Sequence, residues 1–124
     1  MNSFIKGIDH IQFAAPAGTE EQARQFYGEL LGLEEIPKPK NLIGRGGCWF
    51  RCGLQEVHIG IQQDFIPAKK AHPGFSVDAL DELKTRLEQA GYVISEEPPI
   101  DGRSRFFTHD PFGNRIEFLE FHSE

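Results

Sequence analysis

The sequence predicts an α+β fold made of two successive strand–helix–strand–strand–strand modules, and three observations predict it. Hydrophobic spacing alternates along the chain between a period of two and a period near 3.6, as strands and amphipathic helices require. The pattern then restarts. Thr19 and Asp78, Gly32 and Gly91, and His58 and Glu117 each lie 59 residues apart, while His10 and His72 lie 62 apart because the first loop is longer. Finally, 124 residues suit one modest domain, spanning 1–124 with modules over 5–63 and 70–122. Neither module could bury its helix and its other sheet face alone, so the halves are expected to pack together or with another chain.

Ile8-Asp9-His10-Ile11-Gln12-Phe13-Ala14 alternates and predicts a strand, which Pro16-Ala17-Gly18 breaks. Thr19 and Gln22 match a capping box, and Ala23, Phe26, Tyr27, Leu30 and Leu31 follow at helical spacing up to a stop at Gly32. A helix is therefore expected over about 20–31. A short strand over Leu33 to Ile36 stops at Pro37 and Pro39. Cys48–Cys52 and Gln55–Gln62 predict a hairpin around Gly53-Leu54, with glycine first in a type II′ turn. That register sets Trp49 opposite His58 and Arg51 opposite Glu56, with Phe50, Val57 and Ile59 on the helix-packed face. In the second module His72 to Val77 predicts a strand, Asp78 an N-cap, and Leu80, Leu83, Leu87 and Ala90 a helix closed by Gly91. Tyr92 to Ser95 is a short strand. Arg103–His109 and Arg115–Phe121 form a hairpin around the turn residues Asp110-Pro111-Phe112-Gly113-Asn114.

Composition excludes several classes. With 39% hydrophobic and 26% charged residues the chain is neither disordered nor fibrous. Thirteen Lys and Arg against 19 Asp and Glu leave a net charge of -6, which argues against nucleic acid or an anionic membrane as partner. No apolar run approaches the roughly 20 residues of a membrane span, and the stretch Met1 to Gly7 has no apolar leader core, so a cytoplasmic location is expected. Cys48 and Cys52 sit four residues apart on one strand, about 13 Å. That separation forbids a disulfide between them and predicts two reduced thiols, partly buried in a sheet.

Four residues stand out from this frame. Strand parity puts His10 with Gln12, His58 with Glu56 and His72 with Ser76, each opposite an apolar face, and Glu117 opposite Ile116 and Phe118. A single strand histidine is more often a satisfied surface group than a ligand. Three imidazoles and a carboxylate at related strand positions on polar faces instead suit a divalent cation. A curved sheet carrying polar groups on its concave face encloses a cavity.

Several segments together resemble the vicinal oxygen chelate superfamily, which contains glyoxalase I, epimerases, fosfomycin-resistance thiol transferases, extradiol dioxygenases and bleomycin-binding proteins. They are Ile8-Asp9-His10-Ile11, Phe26-Tyr27-Gly28-Glu29-Leu30-Leu31-Gly32-Leu33, His72-Pro73-Gly74-Phe75-Ser76-Val77 and Asp110-Pro111-Phe112-Gly113-Asn114-Arg115-Ile116-Glu117-Phe118. The resemblance covers residues 5–121. It implies paired βαβββ modules in an open mixed β-barrel, a homodimer, and one divalent metal per site (Zn, Ni, Mn, Co or Fe). By position His10, His72 and Glu117 match its two-histidine, one-carboxylate set. His58 stands where glyoxalase I has a glutamate, and there it could be a fourth ligand or a general base.

The resemblance implies a metal-dependent enzyme that chelates neighbouring oxygens of a small substrate, with His58 or Glu117 moving the proton. Gln12, Trp49, Arg51, Arg105 and Phe107 are the expected substrate-binding residues, Arg105 as a carboxylate or phosphonate clamp. Fosfomycin-type thiol transfer, non-catalytic drug binding and Fe(II) ring cleavage are the alternatives. Gly44-Arg45-Gly46-Gly47 is glycine-rich but lacks the Lys-Ser/Thr of a phosphate loop.

Overall fold

The structure is a computed structural model and describes residues 3–123. Met1, Asn2 and Glu124, which the expected span 1–124 and the reading of the N-terminus include, lie outside the described residues. The chain divides into two compact units at the Phe65–Ile66 junction.

The first unit is a four-stranded sheet in the order β1-β4-β3-β2, with β1 His10–Ala15, β2 Glu34–Ile36, β3 Cys48–Cys52 and β4 Gln55–Ile61. β1 runs parallel to β4, and the other neighbours are antiparallel. The hairpin register is the expected one, with Trp49 level with His58 and Arg51 with Glu56. Gly53 has φ +60, and Leu54 is not among the positive-φ residues, which is the type II′ combination.

The crossover helix departs from expectation. Only Glu20–Ala23 (α1) is α-helical, and Arg24–Leu30 continues as a wider π-helix, with the Leu31 N–H donating to Phe26 O. The Thr19 hydroxyl makes no cap. It donates back to the Pro16 carbonyl at 2.7 Å, inside the preceding turn, so the expected capping box is absent. The helix still packs as its spacing predicts. Phe13, Phe26, Tyr27 and Phe50 form a buried aromatic cluster with Tyr27 at its centre, 4.8 Å from Phe26 and 5.3 Å from Phe13 between ring centroids. Burying such side chains contributes about 1.5–3 kcal/mol each.

Between β2 and β3 a 3-10 helix over Lys40–Arg45 leads into Gly46 and Gly47. The Gly47 N–H donates to Glu20 Oε2 at 2.8 Å. That bond is the main reason the Glu20 carboxyl lies below its ordinary value of 4.5, with Arg24 and Lys38 adding to it. A depressed carboxylate stabilises the fold above its unfolded pKa, so this anchor is present at neutral pH. It weakens once pH falls through the folded value below 4.5.

Both cysteines are free thiols on β3. Burial, with Glu35 adding to it, pushes the Cys48 thiol up to about 11. At pH 8 about one molecule in a thousand is then thiolate. Folded protein is expected to resist alkylation at Cys48 and to react fully only on unfolding, and rapid stoichiometric labelling of native Cys48 by mass spectrometry would refute that.

The second unit is a three-stranded sheet in the order β5-β7-β6, with β5 Gly74–Ser76, β6 Arg103–His109 and β7 Arg115–Phe121. β5 is parallel to β7, and β6 is antiparallel to it. The strand expected at Tyr92 to Ser95 is reduced to a single bridge, Ser95 to Phe107. Helix α2, Leu80–Gln89, buries Leu80 and Leu87, and the core continues into Phe106, Ile116 and Phe118.

The cap of α2 is also not the expected one. Ala79, in the left-handed region at φ +56, occupies the N-cap position in place of Asp78. Its N–H and that of Leu80 donate to the Glu120 carboxylate, at 3.2 and 3.0 Å. A carboxylate from β7 thus satisfies orphan donors that no local side chain meets, and it suits the positive end of the helix. Glu120→Ala is expected to lower stability by about 1–2 kcal/mol. Urea unfolding measures it, and a midpoint equal to wild type would contradict the assignment. The Asp110-to-Asn114 turn is built the same way: the buried Asp110 carboxylate accepts from the N–H groups of Phe112 and Asn114 and from Asn114 Nδ2, all at 2.8–2.9 Å.

Candidate functional site

In the first unit, strand pairing sets Gln12, His58 and Trp49 in one row and His10, Glu56 and Arg51 in the next, on the face away from the helix. His58 lies on β4 between strands β1 and β3, and rings close over it from both sides. Trp49 stacks on it at 3.7 Å with planes 3° apart, and His10 stacks at 4.2 Å and 19°. His58 is only 4% exposed, and its Nε2 meets Glu56 Oε1 at 2.9 Å. The outer ring is open: the His10 side chain is 43% exposed, with Nδ1 held by Asp9 Oδ2 at 2.9 Å.

This stack decides how the two imidazoles can be used. A ligating lone pair lies in its own ring plane, so a shared ion must lie in both planes. Two stacked planes 19° apart meet only about 10 Å away, whereas a metal–nitrogen bond is about 2.1 Å. The rings as they stand do not converge on one ion. In this arrangement His58 supports the face of His10, with Trp49 and His10 covering its ring and Glu56 at Nε2.

In the second unit, His72 precedes β5 and Glu117 lies at mid-β7, level with Gly74 and Phe107. His72 Nε2 is 3.3 Å from Glu117 Oε1. His72 Nδ1 is 2.9 Å from the Lys70 carbonyl, which Arg115 also approaches at 3.2 Å. Arg115 Nη1 also lies 3.1 Å from His72 Nδ1, so this edge of the ring is held by both groups and the Nε2 edge faces Glu117. Arg105 Nη1 holds the other carboxylate oxygen at 3.2 Å. Both groups are thus fixed from behind, as outer-shell partners fix metal ligands. Two donors each about 2.1 Å from one ion sit about 3.0–3.4 Å apart, and the observed pair matches that edge. A Cβ at Gly74 would stand 3.7 Å from Glu117 Oε1, so the glycine leaves this corner open. Within neither unit, among the described residues, do three His, Cys, Asp or Glu side chains gather to hold an ion.

The remaining expected residues divide clearly. Gln12 and Trp49 line a cavity of about 220 Å³ in the first unit. Arg51 is drawn to Glu34 at 3.6 Å, since Glu56, its cross-strand partner, is engaged by His58. Arg105 is not a free clamp: Nη1 serves Glu117 and Nη2 donates to the Pro98 carbonyl at 2.8 Å. Phe107 is buried, with the His72 ring edge-on at 4.9 Å and the Arg115 guanidinium over its face at 4.2 Å. It forms the floor of the pair and does not contact solvent. Asp9, Glu56 and Arg115 were not foreseen. Glu56 and Arg115 lie two residues before His58 and Glu117, on the same strand faces, and that parity was the available signal.

Comparison with known proteins agrees with this architecture. No functionally curated protein matches the chain. A glyoxalase family protein from Bacillus anthracis is 55% identical, with 98% of this chain and 100% of that one covered and a TM-score of 0.93. A glyoxalase/dioxygenase from Nostoc punctiforme shares the fold at 20% identity and TM-score 0.79, over 99% of both chains. The fosfomycin resistance protein FosX of Listeria monocytogenes shares it at 18% identity and TM-score 0.79, over 96% of this chain and 95% of that one. The profile of the Glyoxalase/Bleomycin resistance protein/Dioxygenase superfamily matches residues 7–118, and the chain belongs to that superfamily.

Proposed function

We propose that this protein is a metal-dependent enzyme acting on a small oxygen-bearing substrate, with His10, His72 and Glu117 as the ligands of one divalent cation. The observation that carries the reading is the His72–Glu117 edge, 3.3 Å between donor atoms and anchored behind both groups. His10 adds an exposed imidazole whose Nδ1 is already engaged, leaving Nε2 available. A divalent ion held there supplies Lewis-acid polarisation of two neighbouring substrate oxygens and stabilises the charge that develops on them.

The chain's own residues divide the remaining work. Arg105 and the Lys70 carbonyl orient Glu117 and His72. Glu56 and Trp49 fix His58, which keeps the His10 ring from turning. Proton transfer falls to Glu117, whose carboxylate is partly exposed, in place of the enclosed His58. A small-molecule substrate and a homodimeric assembly belong to the same reading. Zn, Ni, Mn, Co and Fe all suit two imidazoles and a carboxylate, and the FosX structure contains Mn(II) with a dihydroxypropylphosphonic acid. A fosfomycin-type thiol transferase is the second reading, supported by that likeness in fold, and protection of cells from fosfomycin tests it.

Elemental analysis of untagged protein tests the principal reading. One divalent metal per chain is expected, and no metal after reconstitution with each candidate ion would overturn it.

A further inference from the structure

We infer that the first unit carries an oxyanion subsite formed by Gln12, Lys38 and Arg45 around the cavity walled by Trp49, so that the substrate bears a carboxylate or phosphonate group. The inference deepens the proposed function, since it takes the Trp49–His58–His10 face as part of the active site.

The cavity of about 220 Å³ lies wholly within the first unit. It is smaller than the roughly 300–1,000 Å³ that encloses a whole ligand, and it suits a headgroup. Its charged lining is entirely cationic, Lys38 and Arg45, in a chain whose net charge is -6. Lys38 donates one N–H to the Gly46 carbonyl, which ties the 38–46 loop and leaves two donors. Arg45 has no ion-pair partner, and the Gln12 amide no hydrogen-bond partner, among the described residues. The nearby acid, Glu20, is occupied by the Gly47 N–H and does not line the cavity. Unspent donors of one sign beside an aromatic wall are what a planar or tetrahedral oxyanion requires.

The backbone protects this arrangement. Gln12 lies across Gly60 so closely that a Cβ there would stand 2.3 Å from Nε2. The wall is shared with the candidate metal face, because Trp49 also stacks on His58. The glycine-rich run at 44–47 thereby has a use unlike that of a phosphate loop: it presents Arg45 at the rim.

Trp49 is the only tryptophan, so its emission reports the cavity directly. The full-length protein is titrated with methylphosphonate, propionate and uncharged propionamide, first with EDTA and then with Mn(II). Saturable changes are expected from both oxyanions in EDTA and none from propionamide. Arg45→Ala and Lys38→Met are each expected to weaken oxyanion binding by about 10-fold or more, as loss of a charged hydrogen bond does. Gly60→Ala, which changes no charge, weakens it by crowding Gln12. Melting curves confirm that each variant is folded, and Arg45, on an exposed loop, carries the test if Lys38→Met is not. Equal responses to propionate and propionamide would overturn the subsite, as would wild-type affinity in folded Arg45→Ala. A response seen only with Mn(II) would place the anion on the metal, overturning the subsite while leaving the proposed function standing. Oxyanion binding in EDTA by a protein that never takes up metal would do the reverse.

Discussion

Alanine at Gly47 is expected to destabilise the protein by about 3–5 kcal/mol, combining the cost of a left-handed alanine with that of an overpacked site. Gly47 has φ +83, and a Cβ there would lie 2.0 Å from the Ile59 carbonyl oxygen. The obstacle is the backbone of a central strand, which no rotamer change can move aside. Relief would require lifting the loop from β4, and that would break the Gly47 N–H bond to Glu20. Against a total of about 5–15 kcal/mol such a loss is severe, and the melting temperature should fall by about 10–20 °C. Gly44→Ala is the internal control: its φ is not positive and nothing lies within 4 Å of its Cβ position. A Gly47→Ala melt within about 2 °C of wild type would show that the close approach is not real.

His72→Ala and Glu117→Gln are expected to abolish metal retention, and His58→Gln is expected only to weaken it. Outer-shell partners of metal ligands are worth about 10–100-fold in affinity. Removing a ligand itself should exceed that, while Arg105→Met, which frees Glu117 from behind, should fall inside it. His58→Gln belongs with the outer-shell class, because its ring stacks on His10 at 19° and does not converge with it on one ion. Calorimetric titration with Mn(II) or Zn(II) ranks the four variants. A His58 variant as impaired as the His72 variant would restore His58 to the ligand set and require the stack to open on metal binding.

Most of the fold was legible because it rests on short-range rules. The β3–β4 register followed from a two-residue loop with glycine first, and the β6–β7 register from a five-residue run of turn formers. The two caps differ from expectation for different reasons: the Thr19 hydroxyl is taken by a local bond to the Pro16 carbonyl three residues back, whereas Asp78 is replaced by Glu120 reaching from another strand, which depends on tertiary placement. The π-helical widening of Arg24–Leu30 keeps the same buried residues, so apolar spacing did not distinguish it. At the candidate site, parity read His58 onto the strand face it shares with Glu56, but it could not show the stacking of His58 between Trp49 and His10 or the bond from Arg105 to Glu117, because side-chain direction within a face is settled by neighbours. The Asp110-to-Asn114 run is the turn its residues predict, and its first residue accepts from three donors, which positions the strand that carries Glu117.

The Trp49–His58–His10 stack has a thermodynamic consequence. Three rings in series leave little slack, so a molecule that leans on Trp49 also leans on the imidazole two rings away. For the proposed anion in the cavity and the proposed ion at the His10 edge, the two occupancies would then be linked equilibria. Whatever factor an anion imposes on metal affinity, the metal must impose on anion affinity. A cation and an anion that each raise the other's affinity would make the substrate its own cofactor-retention device, holding the ion most firmly when there is work for it to do.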